Sequence, residues 1–405
     1  MLTERKWLLG GTLGLALAGC TQNDAPRGGI EIGLLLPFTG SASATASNLE
    51  RSALYAEDLI NDSGGIRGTP VHIVSRDTHS DVARGIEAAN AFADEGAVAV
   101  IGPESAEIAQ ELAPLLAERQ VLFLSPLVGA AAEPSDVCDT PWFRLAPSAK
   151  ALGEALAKQA SAQGVKRLAI LYTASPYDQA LQASIARRFA TLGGEVTLNL
   201  ELDPNAQSYA SEVKRAIGAG VTDVVLAASP RAAALVVNEF DALSAAQPRW
   251  FLSPLLKTDV LVQNVAPRAL EGALGVAPKV YERGPDFPEA FSERWLGDQP
   301  LEGAYFYYDA LALLSVALTK AWPSGKNPEP PSLPELDAAM LDAAKLPGEV
   351  LHWNELEVGL QRLAKDEDLY YSGLTGPLIL EPCGARSTGI TSSWSVRNGV
   401  IETDD

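Results

Sequence analysis

The chain has 405 residues, 47% of them hydrophobic and 20% charged, which is enough apolar material for ordinary globular cores and a length that suggests two or three domains. Its formal net charge of −20 leaves no excess of Lys and Arg with which to hold nucleic acid or an anionic membrane surface. Acidity of this size does not restrict a small ligand.

The first twenty residues, MLTERKWLLGGTLGLALAGC, begin with basic Arg5 and Lys6 and run into an apolar stretch from Trp7 to Ala18. That stretch is too short to span a bilayer and fits the hydrophobic region of a secretory signal. Its end, Leu17-Ala18-Gly19-Cys20, resembles the lipobox of bacterial lipoproteins. The resemblance implies a signal peptide over 1–19, lipidation of Cys20 and a polar tether over 20–29. It places the protein in the periplasm or at the cell surface, and Thr21, where an Asp would retain a lipoprotein in the inner membrane, leaves outer-membrane anchorage open. No later run approaches the roughly twenty apolar residues of a membrane span. Cys138 and Cys383 remain; an exported compartment permits them to pair, two buried free thiols are the alternative, and neither has a neighbour at zinc spacing.

From Ile30 the pattern alternates. IEIGLLLP reads as a strand covered on both faces, and SNLERSALYAEDLINDSGG as a helix that stops at a Gly pair. VHIVSRD, ARGIEAANAFADEG, AVAVIGP, AEIAQELAPLLAERQ and VLFLSP continue strand, helix, strand, helix, strand. The order then restarts with KRLAILYTAS and closes at RWFLSP, so the pentapeptide FLSPL ends the fourth strand of each series, at Phe123 to Leu127 and at Phe251 to Leu255. Alternation of this kind predicts parallel sheets with right-handed crossovers, here in two similar α/β lobes. Pro at the corner lacks an amide hydrogen and is expected to stop sheet pairing. Downstream, EGALGVAP reads as a strand, PDFPEAFSERWLG and GAYFYYDALALLSVALTKAW as helices, Pro323 to Glu335 as an exposed loop, WNELEVGLQRLAKDEDLY as a helix, and Asn398-Gly399 as a hairpin turn.

A reacting constellation is absent from this pattern. His72, His79 and His352 form no HExxH pair, and neither a GxSxG elbow nor a GxxxxGK[ST] phosphate loop occurs. Ser211 to Lys214 matches SxxK only by chance, in a helical stretch without the partner motifs. No enzyme, metal or cofactor is expected. In open α/β sheets ligands bind beyond the strand C-termini, where this chain carries PFTG, RDTHSD, GPESA, SPLVG, TASPYD, AASPR and SPLLK, all able to offer hydroxyl and backbone hydrogen bonds.

IGLLLPFTG, INDSGGIRGTPVHIVSRDTHSD, VIGPESAEIAQELAPLLAERQVLFLSP, WFRLAPS, AILYTASPYDQAL and EGALGVAP, in this order, resemble the type I periplasmic binding proteins of the leucine/isoleucine/valine class. The resemblance implies two doubly wound lobes joined by three crossovers, near Ala146 to Ser148, Gly275 to Pro278 and Gly373 to Gly376. Residues 30–146 plus 277–372 then form lobe 1, and 147–276 plus 373–405 lobe 2. It also implies a small-molecule ligand in the interlobe cleft, ABC permease subunits as partners, and membrane contact through the lipid anchor only.

The implied ligand-binding positions are Thr39, Glu104, Ser105, Ala106, Leu127, Val128, Gly129, Tyr177, Ser229 and Leu255. Several depart from the family. Ala106 stands where a Ser holds the ligand carboxylate, Leu127-Val128-Gly129 replaces an Ala-Thr segment, Ser229 lies near an expected Tyr, and Leu255 occupies the acidic position that receives the ammonium. Tyr177 matches. An ammonium buried without its counter-charge costs about 3 to 5 kcal/mol, so a plain aliphatic amino acid in the family pose is disfavoured. Glu104, or Asp178 from the other lobe, is a substitute carboxylate. The reading is a lipid-anchored solute-binding protein for an amino-acid-like or amide-like ligand; the alternative is an envelope lipoprotein that keeps the fold to regulate or scaffold a partner protein.

Overall fold

The computed structural model describes residues 28–40, 43–129, 140–244, 247–279, 287–322, 329–345, 348–386 and 391–403. The expected signal peptide, Cys20, Cys138 and the first part of the Pro-rich stretch lie outside the described residues.

The chain first lays down β1 (Ile30–Leu36), α1 (Ala46–Asp62), β2 (Val71–Asp77), α2 (Val82–Glu95), β3 (Ala99–Ile101), α3 (Ala106–Glu118), β4 (Leu122–Gly129) and β5 (Phe143–Ala146). The strands pair in parallel in the order β2-β1-β3-β4-β5. β1 is apolar without alternation because both its faces are covered. Leu34 and Leu36 enter one core with α1, and Leu35 enters another with Phe92 of α2.

The pattern then restarts with α4 (Ala149–Ala162), β6 (Arg167–Thr173), α5 (Pro176–Thr191), β7 (Glu195–Leu202), α6 (Ala210–Gly218), β8 (Asp223–Ala227), α7 (Pro230–Leu243), β9 (Arg249–Leu252), α8 (Asp259–Gln263) and β10 (Leu274–Pro278). Again two cores sandwich a sheet: Ala169 and Leu171 of β6 face one, Leu168 and Ile170 the other. The chain next returns to the first unit with α9 (Phe287–Arg294), α10 (Glu302–Ala321), α11 (Leu333–Ala343), β11 (Glu349–His352), α12 (Leu356–Leu363), β12 (Leu369–Gly373) and β13 (Gly376–Pro377). α10 is apolar almost all round and is correspondingly buried from Ala304 to Thr319. Finally β14 (Thr391–Arg397) and β15 (Val400–Thr403) complete a seven-stranded sheet of order β15-β14-β10-β9-β8-β6-β7. Asn398 and Gly399 both have positive φ (52° and 72°), as a tight hairpin turn requires.

The molecule is thus mixed α/β, two doubly wound lobes between which the chain passes three times. Two passages follow Ala146 and Pro278; the third does not fall at Gly373 to Gly376. Those two glycines pair with each other inside a small sheet of order β11-β12-β13, and Leu374 and Leu378 are buried in the first lobe's core. The chain joins the other sheet only at Thr391. The glycine at 373 answers to packing rather than to a hinge: a Cβ there would lie 2.3 Å from Asp309 Oδ2. Three other expectations need correction. The helix expected over Trp353 to Tyr370 shrinks to α12, because Leu369–Gly373 is strand. Within the expected loop, α11 starts at Leu333, where Glu335 reaches back to accept from Ser332 N at 2.8 Å. And the first corner does not end its strand: β4 runs through Pro126 and pairs Gly129 with Ala146 after a register shift.

Candidate functional site

A cleft of about 640 Å³ lies between the lobes, within the size range of small-molecule sites. Lobe 1 contributes Glu104, Ala106, Glu107 and Gln110 around the start of α3, and Leu127, Val128 and Gly129 at the end of β4. The second lobe contributes Leu152, then Ser175, Pro176 and Tyr177 at the start of α5, and Pro254 and Leu255 after β9. Ala146, Pro147 and Pro278, where the chain passes between lobes, form the remaining wall. Both FLSPL corners therefore reach the same cavity.

Local sequence explains how these groups arrive there. Gly102 adopts φ 100° and approaches β1 so closely that a Cβ would lie 2.2 Å from Leu35 O; a side chain is excluded on both counts. Its N–H donates to Leu124 O at 2.9 Å, and the chain turns at once into α3, whose N-cap Ser105 accepts from Ile108 N at 3.4 Å. Glu104 is carried on this turn. Burial pushes its carboxyl pKa up, while its own backbone N–H pulls it down. Glu104 Oε2 is buried with no hydrogen-bond partner, and so is the hydroxyl of Tyr307 from α10. Burial, and after it the charge on Glu104, pushes the Tyr307 phenol well above its ordinary value.

On the opposite wall Ser175 caps α5 and accepts from Asp178 N at 3.0 Å, which delivers Tyr177 to the cleft. Burial, with the neighbouring Asp178 charge, raises the Tyr177 pKa, so the phenol stays protonated. Asp178 itself turns away from the cavity: Thr173 and Ser175 donate to its Oδ2, the latter at 2.9 Å. A Cβ on Gly129 would lie 2.4 Å from Pro147 O and 3.6 Å from Tyr177 Cε2, so the first corner meets the passage and the other lobe as bare backbone. At the second corner the contact is ionic: Lys257 donates to Glu302 at the start of α10, across the lobes.

Of the residues singled out in the sequence, Glu104, Ala106, Leu127, Val128, Gly129, Tyr177 and Leu255 line the cleft. Thr39, Ser105 and Ser229 are not among the lining residues. Thr39 is exposed; its hydroxyl donates to Asp77 Oδ2 at 2.7 Å, and its oxygen lies 2.7 Å from His79 Nδ1. Ser105 and Ser229 spend their hydroxyls on helix caps, Ser229 accepting from Ala232 N at 3.3 Å. Cys383 is disulfide-bonded. The sequence reading missed Glu107, Gln110, Leu152, Ser175, Pro176, Pro254 and the passage residues Ala146, Pro147 and Pro278. Glu107 and Gln110 sit one helical turn from residues it had chosen, so the helical period was the available signal. Among the described residues no cluster of His, Cys, Asp and Glu is arranged to hold a metal ion, and no helix is long and apolar enough to cross a membrane.

A buried network braces the passages. Asp309 of α10 accepts from Tyr371 Oη, Leu374 N, Thr375 N and Thr375 Oγ1 at 2.7 to 2.8 Å, and burial still pushes its pKa up. Arg386 donates to Thr375 O (2.6 Å), Pro377 O (3.0 Å) and Leu145 O (3.0 Å); burial brings its pKa down to about 10, opposed by Asp309. It thereby ties the segment before β14 to the strand that precedes the first passage.

Two α/β lobes that enclose a ligand-sized cleft define a binding protein. The profile of the family described as "Periplasmic binding protein" matches residues 29–345, and the chain belongs to that family. It is 25% identical over 307 residues to Leu/Ile/Val-binding protein homolog 1 of Brucella suis, covering 74% of this chain and 80% of the relative. Its fold matches the leucine binding protein LivK from Thermotoga maritima (TM-score 0.70, 18% identity, 93% of this chain and 98% of the other). It also matches a solute binding protein of an R. palustris ABC transporter in complex with benzoate (TM-score 0.66, 17% identity, 93% and 95% covered).

Proposed function

We infer that this chain is an extracytoplasmic, lipid-anchored solute-binding protein that holds a small amino-acid-like or amide-like ligand between its lobes and presents it to ABC permease subunits. The observation that carries the reading is the cleft lined from both lobes, with a Ser-Pro corner on each side and Tyr177 on one wall. A ligand touching both walls binds the closed arrangement better than an open one and shifts the population toward it, which gives a permease a state to recognise. Relatives named for leucine, isoleucine and valine support the ligand's size class. The lipobox-like Leu17 to Cys20 supports the anchor through Cys20, and Cys138 is the partner proposed for Cys383. Isothermal titration of the purified protein with branched-chain amino acids and their amides tests the reading. Saturable binding of at least one is expected; no heat at millimolar ligand removes it. Metabolic labelling with a fatty-acid analogue tests the anchor, with label expected on the wild type and lost in Cys20→Ala.

A further inference from the structure

The size of the cleft narrows the ligand. The lobes already touch at two points, where Lys257 donates to Glu302 and where the Gly129 backbone faces the Tyr177 ring. The volume of about 640 Å³ is therefore what remains between lobes in contact, not that of a gaping cleft. An apolar cavity of about 150 Å³ is enough to hold one benzene, so this cleft has room for roughly four such units. A single leucine would fill less than half of it.

The lining is extended to match. On α3 it begins at Ala106 and reaches Gln110 in the second turn, about 6 Å further along the axis, while Pro147 and Pro278 close it at the passages. Apolar and hydrogen-bonding groups are mixed along both walls: Leu127 with Gln110 on lobe 1, and Leu152 and Leu255 with the Tyr177 phenol on the other. A purely hydrocarbon body would strip water from Gln110 and Tyr177 and return no hydrogen bond to either, at a cost for each. A chain of amides that carries apolar side groups answers both kinds of wall.

The geometry points to a short apolar peptide, about two or three residues long, as the cargo. The inference rests on the solute-binding reading and names its ligand class. In this pose the apolar side groups lie against Leu127, Leu152 and Leu255, and the amides bond to Gln110 and the Tyr177 hydroxyl.

Leucinamide, leucyl-leucinamide and trileucinamide share the same two ends and differ only in the number of units, so charge stays constant while size changes. Their affinities for the full-length protein, with leucine beside them, are measured by titration. Each added unit is expected to tighten binding roughly 10-fold, the gain from burying one further leucine side chain. Two variants then fill the cleft from opposite walls, Leu255→Trp and Ala106→Phe, both at exposed positions, with thermal unfolding to register the fold. Each is expected to reverse the order, so that leucinamide binds more tightly than trileucinamide. Leucine or leucinamide bound by the wild type as tightly as the longer probes overturns the inference and leaves the solute-binding reading intact. So does a folded variant that weakens every probe by the same factor. No binding of any probe, leucine included, removes both.

Discussion

The same five residues, FLSPL, occupy the fourth strand of each lobe and end in different structures. At the first corner β4 continues through Pro126 because β5 lies alongside it and accepts pairing as far as Ala146. Ser125 is buried there and useful: its Oγ accepts from Trp142 Nε1 at 2.8 Å, with the stacked Phe123 and Trp142 rings beside it. At the second corner β9 stops at Leu252, Pro254 opens a short 3₁₀ turn, and the buried Ser253 hydroxyl has no partner. Two residues on, Gly129 presses bare backbone against Pro147, whereas its counterpart Lys257 extends a cation to Glu302. A pentapeptide thus sets where the chain arrives, and neighbours distant in sequence set what it does there.

The comparison can be broken hardest at what both corners share. Arg386→Met would leave the carbonyls of Leu145, Thr375 and Pro377 without their donor and Asp309 without its nearby cation. The expected loss is about 3 kcal/mol or more in urea unfolding, with ligand affinity falling as the passages loosen. An unchanged unfolding midpoint would show that the network does not brace the fold. Next comes Gly129→Ala, where a Cβ would meet Pro147 O at 2.4 Å. Backbone must move, at a cost of roughly 1 to 3 kcal/mol, and ligand binding should weaken with it. The paired serines sharpen the contrast. Ser125→Ala strands the Trp142 indole N–H and should cost about 1 to 3 kcal/mol, while Ser253→Ala removes a buried hydroxyl that bonds to nothing and should be neutral or slightly stabilising. Equal effects from the two would erase the distinction drawn between the corners.

Much of the fold was readable because alternation of strand and helix is a local signal repeated many times, and doubly covered strands such as IEIGLLL carry no ambiguity about their setting. The failures share a cause. Phe143–Ala146 and Ala149–Ala162 were given no assignment as strand and helix, four residues being too short for a period and the helix following a passage rather than a loop. The third passage was placed too early because the family resemblance put it at Gly373 to Gly376; the conformation of that stretch is instead dictated by Asp309, more than sixty residues upstream, through the hydrogen bonds it accepts from Leu374 and Thr375. In the cleft, residues fixed by strand ends and helix starts were found, Glu104 and Tyr177 among them. Thr39 was misplaced because its orientation depends on Asp77, thirty-eight residues away, and nothing local announces that bond.

The smallest expected effect lies at Lys257. Its side chain is largely buried while Glu302 is mostly in water, so Coulomb attraction is screened on one side and the pair should add no more than about 1 kcal/mol to stability. Lys257→Ala is therefore expected to leave the unfolding midpoint almost unchanged. Its leverage is on shape, because the pair joins the lobes: the same small energy applied to a balanced open–closed equilibrium changes the populations several-fold. Small-angle scattering of the unliganded variant should show a larger radius of gyration than the wild type at low salt, and the difference should shrink as salt screens the pair in the wild type. A variant that scatters like the wild type at every salt concentration would mean that the pair does not hold the lobes together, and that the two corners differ in chemistry but not in duty.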